Sequence, residues 1–237
     1  MKAHASTVVV GQVLSQCAES RVYECDFYGH PAVCKHRLVK PYRHPALDKK
    51  LREQRTVREA RALVRCQKHG IAVPTVYAID REGCAIVMER IAGITVRDML
   101  NRVQRGQGKT ASPAAVRLLE GMGEVVGLLH SADIIHGDLT TSNFICCTRE
   151  GEVGELRDNL VVLDFGLVTE KNSAEERAVD LYVLERAIMS SHPSLEGVAS
   201  SLILEGYRRT VEPHKGATSI ARLGVVRARG RKRSMIG

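Results

Sequence analysis

The stretch that decides the fold reads His136-Gly137-Asp138-Leu139-Thr140-Thr141-Ser142-Asn143, and Asp164-Phe165-Gly166 follows it further along the chain. Asp138 is a carboxylate that can orient or deprotonate an attacking hydroxyl group or water. Asn143 and Asp164 offer an amide oxygen and a second carboxylate, which can hold Mg²⁺ against phosphate groups. The pattern predicts phosphoryl transfer, with Asp138 as the catalytic residue and Asn143 and Asp164 as metal ligands and cofactor-binding residues.

Each motif has a plainer interpretation when it stands alone. Asp138 and Asn143 would then cap turns, and Asp164 would begin one. Here the first motif follows a segment with apolar residues at helical spacing, and the second follows the apolar run Val161-Val162-Leu163. The two motifs occur in order, each after a rigid element, and this favours the catalytic interpretation.

The first half of the chain supplies groups that would bind ATP. Ala32-Val33-Cys34-Lys35 predicts a strand that ends in Lys and resembles the Val-Ala-Ile-Lys strand of kinases. That resemblance implies that Val33 lines the nucleotide site and that Lys35 contacts the α- and β-phosphates. On a plainer interpretation Lys35 is a solvated edge residue. Lys35 needs an acidic partner, and the two glutamates of the following helix are Glu53 and Glu59. Glu59 shares a helix face with Leu63, so we expect Glu59 to pair with Lys35.

A hinge between the two halves is predicted at Met88-Glu89-Arg90-Ile91, which ends a second pair of strands just before Gly93. Backbone groups of Glu89 and Ile91 are expected to hold the adenine ring. This expectation rests on position alone.

Composition narrows the class of protein. The 237 residues are 44% hydrophobic but only 4% aromatic, with no Trp, which predicts an aliphatic core and argues against binding of single strands by stacked aromatics. The seven cysteines include no Cys-x-x-Cys pair, so neither a zinc site nor a disulfide framework is expected, and Mg²⁺ is the only metal predicted. Apolar runs are too short to span a bilayer, so no membrane partner is expected.

The net charge of +8 is concentrated in two segments. Residues 35–65 carry eleven Lys/Arg against three Asp/Glu, and residues 208–237 carry nine against one, so each segment has a net charge of +8. This polarity favours a polyanionic partner, although a solvated helix face and a solubilising tail remain the alternative. The candidate contacts to such a polyanion or to a partner protein are Arg43, Arg229, Arg231, Lys232 and Arg233.

The order of predicted elements indicates an α+β fold with a mainly β half followed by a mainly α half. Strands are expected within residues 8–37, with 22–27 pairing 32–35, and again at 75–80 and 84–89, with one or two helices over 46–69 between them. Residues 92–93 are a plausible linker, and the part after residue 210 is expected to be irregular apart from a short helix near Ile220. The predicted domains are 1–91, 92–209 and a basic tail over 210–237.

Several segments together resemble the PRPK-like atypical kinase subunits of the KEOPS (EKC) complex, within the protein-kinase-like superfamily. They are Lys35-His36-Arg37 with residues 42–47, Arg55-Thr56 with Glu59-Ala60-Arg61, the two motifs quoted first, residues 179–185, and the end of the chain from Val226. The resemblance covers nearly the whole chain. It implies a reduced two-lobed kinase fold, with a small β-rich N-lobe and a small, mostly α C-lobe.

The same resemblance implies a function. Members use ATP and Mg²⁺ to support threonylcarbamoyladenosine synthesis in tRNAs that read codons starting with A. They act as ATPases beside other KEOPS subunits, including a metal-dependent subunit that transfers the threonylcarbamoyl group. Serine/threonine phosphorylation of proteins is also attributed to the family. By the same resemblance, Asp180 would brace the catalytic loop, residues 136–143. The polyanion would be tRNA, and residues 42–47 and the basic helix over 46–69 could contact tRNA or a partner subunit.

The chain departs from ordinary protein kinases at several points. Gly137 replaces an Arg, Thr140 replaces a Lys near the γ-phosphate, and no Ala-Pro-Glu follows Asp164. These departures favour water or a small acceptor over a peptide. The phosphate-covering turn also has Cys17 where the family has Gly, which predicts altered nucleotide binding.

Three functions stay open at this point. The first is an ATP-hydrolysing subunit of a tRNA-modifying assembly, the second a free-standing serine/threonine kinase, and the third a scaffold that binds nucleotide poorly. A cytoplasmic location, a nuclear one, or both are expected, because no apolar leader stands at the start of the sequence and Arg229-Gly230-Arg231-Lys232-Arg233 is a basic cluster.

Overall fold

A computed structural model describes residues 9–234, with 18, 107, 109, 148–158 and 170 left out. The first half forms a five-stranded antiparallel sheet in the order β1-β2-β3-β5-β4. Its strands are β1 Val9–Gln16, β2 Ser20–Phe27, β3 His30–Arg37, β4 Val76–Asp80 and β5 Ala85–Glu89, and helix α1 runs from Pro45 to Lys68 between β3 and β4.

The predicted pairing of the second and third strands is confirmed, with Phe27 opposite His30 and Val22 opposite Lys35. Tyr28 and Gly29 form the connecting turn with φ angles of 52° and 82°. Two successive positive φ angles match the right-handed twist of a hairpin. The turn therefore sets the register that places Lys35 on the inner face of β3.

Helix α1 is confirmed close to the predicted bounds. Pro45 stands in its first turn, and Gly70 follows its end with a φ of 69°. The buried residues of α1 recur along one side, among them Thr56, Glu59, Ala60 and Leu63. That side packs toward β4 and β5, so Glu59 faces the interior behind the sheet.

The second half contains a small sheet and five helices among the residues described. Strands β6 Gly93–Thr95, β7 Phe144–Cys147 and β8 Leu160–Val162 pair antiparallel in that order. The helices are α2 Val96–Val103, α3 Pro113–Ser131, α4 Ala174–Ser191, α5 Ala199–Thr210 and α6 Pro213–Ser234. Residue 93, expected in a linker, instead begins a strand, because β7 offers an edge that the local sequence does not reveal.

Helices α3 and α5 make the tightest helix contact of this half. A Cβ on Gly123 would overlap the backbone of Ile203, and a Cβ on Gly206 would overlap the backbone of Glu120. The glycines thus allow a close approach of the two helices. The α+β fold class is confirmed, and the domain boundaries 1–91, 92–209 and 210–237 stay predictions.

The expectation of an irregular segment after residue 210 is wrong, because residues 213–234 form the continuous helix α6. Leu223 and Val226 are buried against the rest of the chain. Arg227 donates to Glu185 on α4 through Nε at 2.9 Å. Tertiary contacts with α4 thus override the weak helical propensity of a segment rich in glycine.

No helix among the described residues is long and apolar enough to cross a membrane.

Candidate active site

Two buried cations meet one buried carboxylate where β3 faces α1. Lys35 and Arg37 lie two residues apart and so share a face of β3. Lys35 Nζ donates to Glu59 Oε1 at 2.7 Å, and Arg37 donates to the other oxygen, Oε2. Lys35, Arg37 and Glu59 are 5%, 4% and 1% exposed. The structure thus brings together Lys35 and Glu59, as predicted. It adds Arg37, which is not among the predicted site residues.

Asp164 follows β8 in a turn with a φ of 59°. Its Oδ1 accepts from Lys35 Nζ at 2.5 Å and from the N–H of Gly166 at 3.1 Å. Burial raises the pKa of Asp164, but the Lys35 ammonium and its hydrogen bond outweigh that effect and hold the pKa below its ordinary value. Burial likewise lowers the pKa of Lys35, and the charges of Glu59 and Asp164 more than reverse it, so that its pKa is raised. Both groups are therefore charged at neutral pH.

His136 holds the catalytic loop against the segment that precedes Asp164. The N–H of Asp138 donates to His136 Nδ1 at 3.2 Å, so Nδ1 is an acceptor. The other ring nitrogen, Nε2, therefore carries the proton and donates to the carbonyl of Leu163 at 2.9 Å. His136 therefore has a structural role in this loop.

Asn143 returns its side chain to Asp138 five residues earlier. Asn143 Nδ2 donates to the Asp138 carbonyl at 2.9 Å and approaches Asp138 Oδ2 at 3.4 Å. This fixes the orientation of the amide. It leaves Asn143 Oδ1 without a donor among the described residues, and Asp138 stays partly exposed, as a residue that must meet a substrate should be.

Asp180 braces this loop from α4, as the resemblance implied. Its carboxylate accepts from the N–H groups of His136 and Gly137, both at 2.9 Å. Behind it, His130 Nε2 lies 3.3 Å from Asp180 Oδ2, and His130 Nδ1 lies 2.9 Å from the hydroxyl of Tyr207. Through these two contacts His130 links the catalytic loop to α5.

The backbone explains why Gly stands at position 137. Gly137 has a φ of 82°, and a Cβ there would lie 2.5 Å from the carbonyl oxygen of Leu167. An arginine at this position would require both the loop and the segment after Asp164 to move. The absence of the usual Arg is therefore built into the packing of the site.

The residues present fit a magnesium ion bound together with phosphates. The hydrogen bonds above leave Asn143 Oδ1 and Asp164 Oδ2 open. Mg²⁺ is usually held by one or two protein oxygens, with phosphate and water completing its shell. Among the described residues no cluster of three or more His, Cys, Asp or Glu could hold a metal by itself.

Comparison with known proteins agrees with this geometry. Residues 25–206 match the family model described as lipopolysaccharide kinase (Kdo/WaaP). The protein "EKC/KEOPS complex subunit bud32" of Aspergillus clavatus is 44% identical, with 95% of this chain and 92% of the relative covered. "EKC/KEOPS complex subunit Tp53rkb" of Mus musculus is 40% identical, with 95% and 89% covered. The chain belongs to the Bud32 family.

A solved structure resembles the fold of this Bud32-family chain. The Rio2 kinase-ADP/Mg²⁺-phosphoaspartate complex from Chaetomium thermophilum matches with a TM-score of 0.59 at 15% identity, covering 94% of this chain and 71% of that one. At such low identity the match shows the fold alone, which is a reduced kinase-like fold. Fold and family together make the chain a phosphotransferase-type enzyme.

The predicted hinge of this Bud32-family chain lies where β5 ends. Val33 pairs with Met88, and Ala32 pairs with Glu89. The N–H of Glu89 already donates to the carbonyl of Thr75 at 2.8 Å. A backbone contact of Glu89 with adenine would therefore use its carbonyl group. The adenine-binding roles of Val33, Glu89 and Ile91 stay predictions.

The turn at residues 16–20, which is predicted to cover the phosphates, is fastened to α1 and to the segment before it. The N–H of Cys17 donates to the carbonyl of Ser20 at 2.8 Å. Glu19 binds the guanidinium of Arg55, which holds the pKa of Glu19 below its usual value, and it lies 3.8 Å from Arg43. A turn held by ion pairs depends less on a glycine at position 17, although residue 18 lies outside the described part.

The residues predicted to contact tRNA or a partner have different surroundings. Arg43 lies between Glu19 and Asp48, at 3.8 Å from each, and Arg229 binds Glu175 on α4. Arg231, Lys232 and Arg233 belong to α6, but their side chains lie outside the described part of the structure. All five contacts stay predictions. At Arg43 and Arg229, a tRNA or a partner would have to compete with an intramolecular ion pair.

Proposed function

We propose that this chain cleaves the γ-phosphate of ATP in a Mg²⁺-dependent reaction, as a subunit of a KEOPS-type assembly that modifies tRNA with threonylcarbamoyladenosine. The observation that carries the proposal is the arrangement of Lys35, Glu59, Asp138, Asn143 and Asp164 on a kinase-like fold. The assembly and the tRNA are inferred from relatives 38–44% identical, whose names place them in the EKC/KEOPS complex. A cytoplasmic or nuclear location is part of the same proposal.

Each side chain has a defined task in this reaction. Lys35 has three N–H donors, so Nζ can hold Glu59 and Asp164 and still donate to a phosphate oxygen. Asp138 is partly exposed and would take the proton of the attacking group. Asn143 Oδ1 and Asp164 Oδ2 would hold Mg²⁺, which neutralises phosphate charge when bound.

The short segment after Asp164 supports water as the acceptor. Helix α4 begins at Ala174, so only residues 167–173 separate it from Gly166. A segment of this length has little room for the platform on which a protein kinase lays a peptide. Thr140 also lacks the charge that a lysine would bring to the γ-phosphate. ATP hydrolysis is therefore favoured over serine/threonine phosphorylation of proteins.

The test follows γ-labelled ATP with the purified full chain, with and without unmodified tRNA and the reconstituted partner subunits. Phosphate released to water and phosphate bound to protein are scored separately. Lys35→Met and Asp164→Asn are expected to abolish phosphate release. The control is Asp98→Asn, an exposed position on α2, and it is expected to keep phosphate release. Release that rises with tRNA and partners supports the proposal. Label accumulating on protein without that stimulation, or no turnover at all, contradicts it.

A further inference from the structure

The outer side of α1 carries a row of basic residues that the active site does not use. Its basic members are Lys50, Arg58, Arg61 and Arg65, and the uncharged Gln54 lies between the first two of them. All five residues are exposed and follow one another at spacings of three or four residues. Such spacing places side chains one above another on a helix. We refer to Arg58, Arg61 and Arg65 as the outer arginine row.

The outer arginine row differs from its neighbours in lacking acidic partners. Among the described residues no carboxylate forms an ion pair with Arg58 or Arg61, and Arg65 donates to the carbonyl of Ala132 at 2.7 Å. On the same helix, Arg52 binds Asp48 at 2.7 Å, and Arg55 binds Glu19. The charge of the row is thus available to a partner.

On one side, the row borders a groove next to the β4–β5 turn. Arg58 and Arg61 line this cavity of about 390 Å³ together with Arg81. Its single carboxylate, Glu53, lies 3.7 Å from Arg81 and 3.9 Å from Lys49. The groove therefore keeps a net positive charge from Arg58 and Arg61.

On the other side, the row reaches the segment that follows the active-site Asp164. Arg58, Arg61 and Arg65 line a narrow cleft with Val168 and Thr169. The one acid in this cleft, Asp133, is bound by Lys215 from α6 and by Asn172. An anionic chain lying on the row would therefore pass beside the catalytic centre.

We propose that the outer arginine row binds the phosphate backbone of a folded RNA. From Arg58 to Arg65 the row is about 10 Å long at 1.5 Å per residue, and Lys50 extends the basic side of the helix to about 22 Å, enough to face several successive phosphates rather than one. Guanidinium groups match phosphate oxygens in pairs. If the proposed function holds, that RNA is tRNA, and the row guides it past the ATP-cleaving site.

The test measures binding of a fluorescent tRNA transcript to the full-length chain at several salt concentrations, without ATP. Arg58→Ala/Arg61→Ala is expected to weaken binding at least about tenfold and to reduce the salt slope by about two. Arg117→Ala removes an exposed arginine from α3, which has no ion pair among the described residues, and is expected to leave both quantities unchanged. Arg58→Lys/Arg61→Lys keeps the charges and is expected to retain most of the slope.

Two results would overturn the proposal. One is an affinity for tRNA in the double alanine variant equal to that of the Arg117 control. The other is loss of association with the partner subunits, seen by size-exclusion chromatography, while affinity for tRNA is unchanged, which would make the row a protein interface. Because the binding assay contains no ATP, failure of the proposed ATP cleavage leaves its outcome readable.

Discussion

The two sides of helix α1 carry their charges in opposite ways. On the inner side, Glu59 is buried and each of its oxygens meets a cation, Lys35 or Arg37. On the outer side, Arg58 and Arg61 are exposed, and no carboxylate among the described residues pairs with either. A buried charge must be compensated, whereas an exposed one is stabilised by water and stays free to bind. The difference supports the proposed catalysis on the inner side and the proposed RNA binding on the outer side.

The largest effect expected from this comparison is that of Glu59→Gln. The substitution leaves Lys35 and Arg37 buried with one carboxylate fewer, which should lower the free energy of unfolding by about 3–5 kcal/mol. Urea denaturation followed by circular dichroism measures this. Glu53→Gln is the matched control, because its ion pairs are exposed and contribute about 0–1 kcal/mol. Equal losses in the two variants would remove the distinction between the sides of the helix.

A smaller effect is expected where the inner side meets the catalytic loop. Gly137→Ala forces a Cβ toward the carbonyl of Leu167 at a φ of 82° and should lower the free energy of unfolding by about 1–3 kcal/mol. Gly224→Ala is the control, since a Cβ there meets open space within α6. It should be neutral or stabilising. A neutral Gly137→Ala would mean that the loop is not tightly packed.

A pH titration sharpens the comparison with a still smaller effect. The pKa of Asp164 is lowered by Lys35 against the effect of burial, so its stabilising contribution is present above the unfolded pKa of about 4 and is lost as pH falls through the folded value. The difference in unfolding free energy between the wild type and Asp164→Asn should therefore shrink toward low pH. The Asp164 carboxyl is 38% exposed, and solvent screening keeps the effect small. A difference that grows toward low pH would contradict the ion pair.

The smallest effect is expected on the outer side. Arg61→Ala removes an exposed side chain with no ion pair among the described residues, so the unfolding free energy should change by no more than about 0.5 kcal/mol. Thermal unfolding in parallel with the wild type measures it. A loss above about 2 kcal/mol would show that Arg61 has a packing role.

Much of the candidate active site is predictable from the sequence, because the residues that would carry its chemistry occur in short motifs. Asp138, Asn143 and Asp164 stand at fixed spacings in turns, and the pairing of Lys35 with Glu59 follows from a strand and a helix that are both strongly patterned. Arg37 was missed as a member of this site, although the period of two along β3 places it on the face of Lys35. The contact between His130 and Tyr207 was not predicted, because the two residues meet only through helix packing.

Charge counting alone does not distinguish the two basic segments. Both have a net charge of +8, yet Arg222, Arg227 and Arg229 on α6 bind Glu175 and Glu185, whereas Arg58 and Arg61 on α1 have no such partner among the described residues. Because these glutamates lie far from the arginines along the chain, no local sequence pattern reveals the ion pairs. The same contacts make α6 a helix where glycines and repeated arginines indicated an irregular tail.

The most direct test of the account is the effect of Asp138→Asn on phosphate release and on nucleotide binding, measured together. The account predicts that the variant keeps its Mg²⁺-ATP-dependent thermal stabilisation, because Lys35, Asn143 and Asp164 are untouched, while phosphate release falls at least about a hundredfold. Phosphate release at the wild-type rate would contradict the assignment of Asp138 as the catalytic residue.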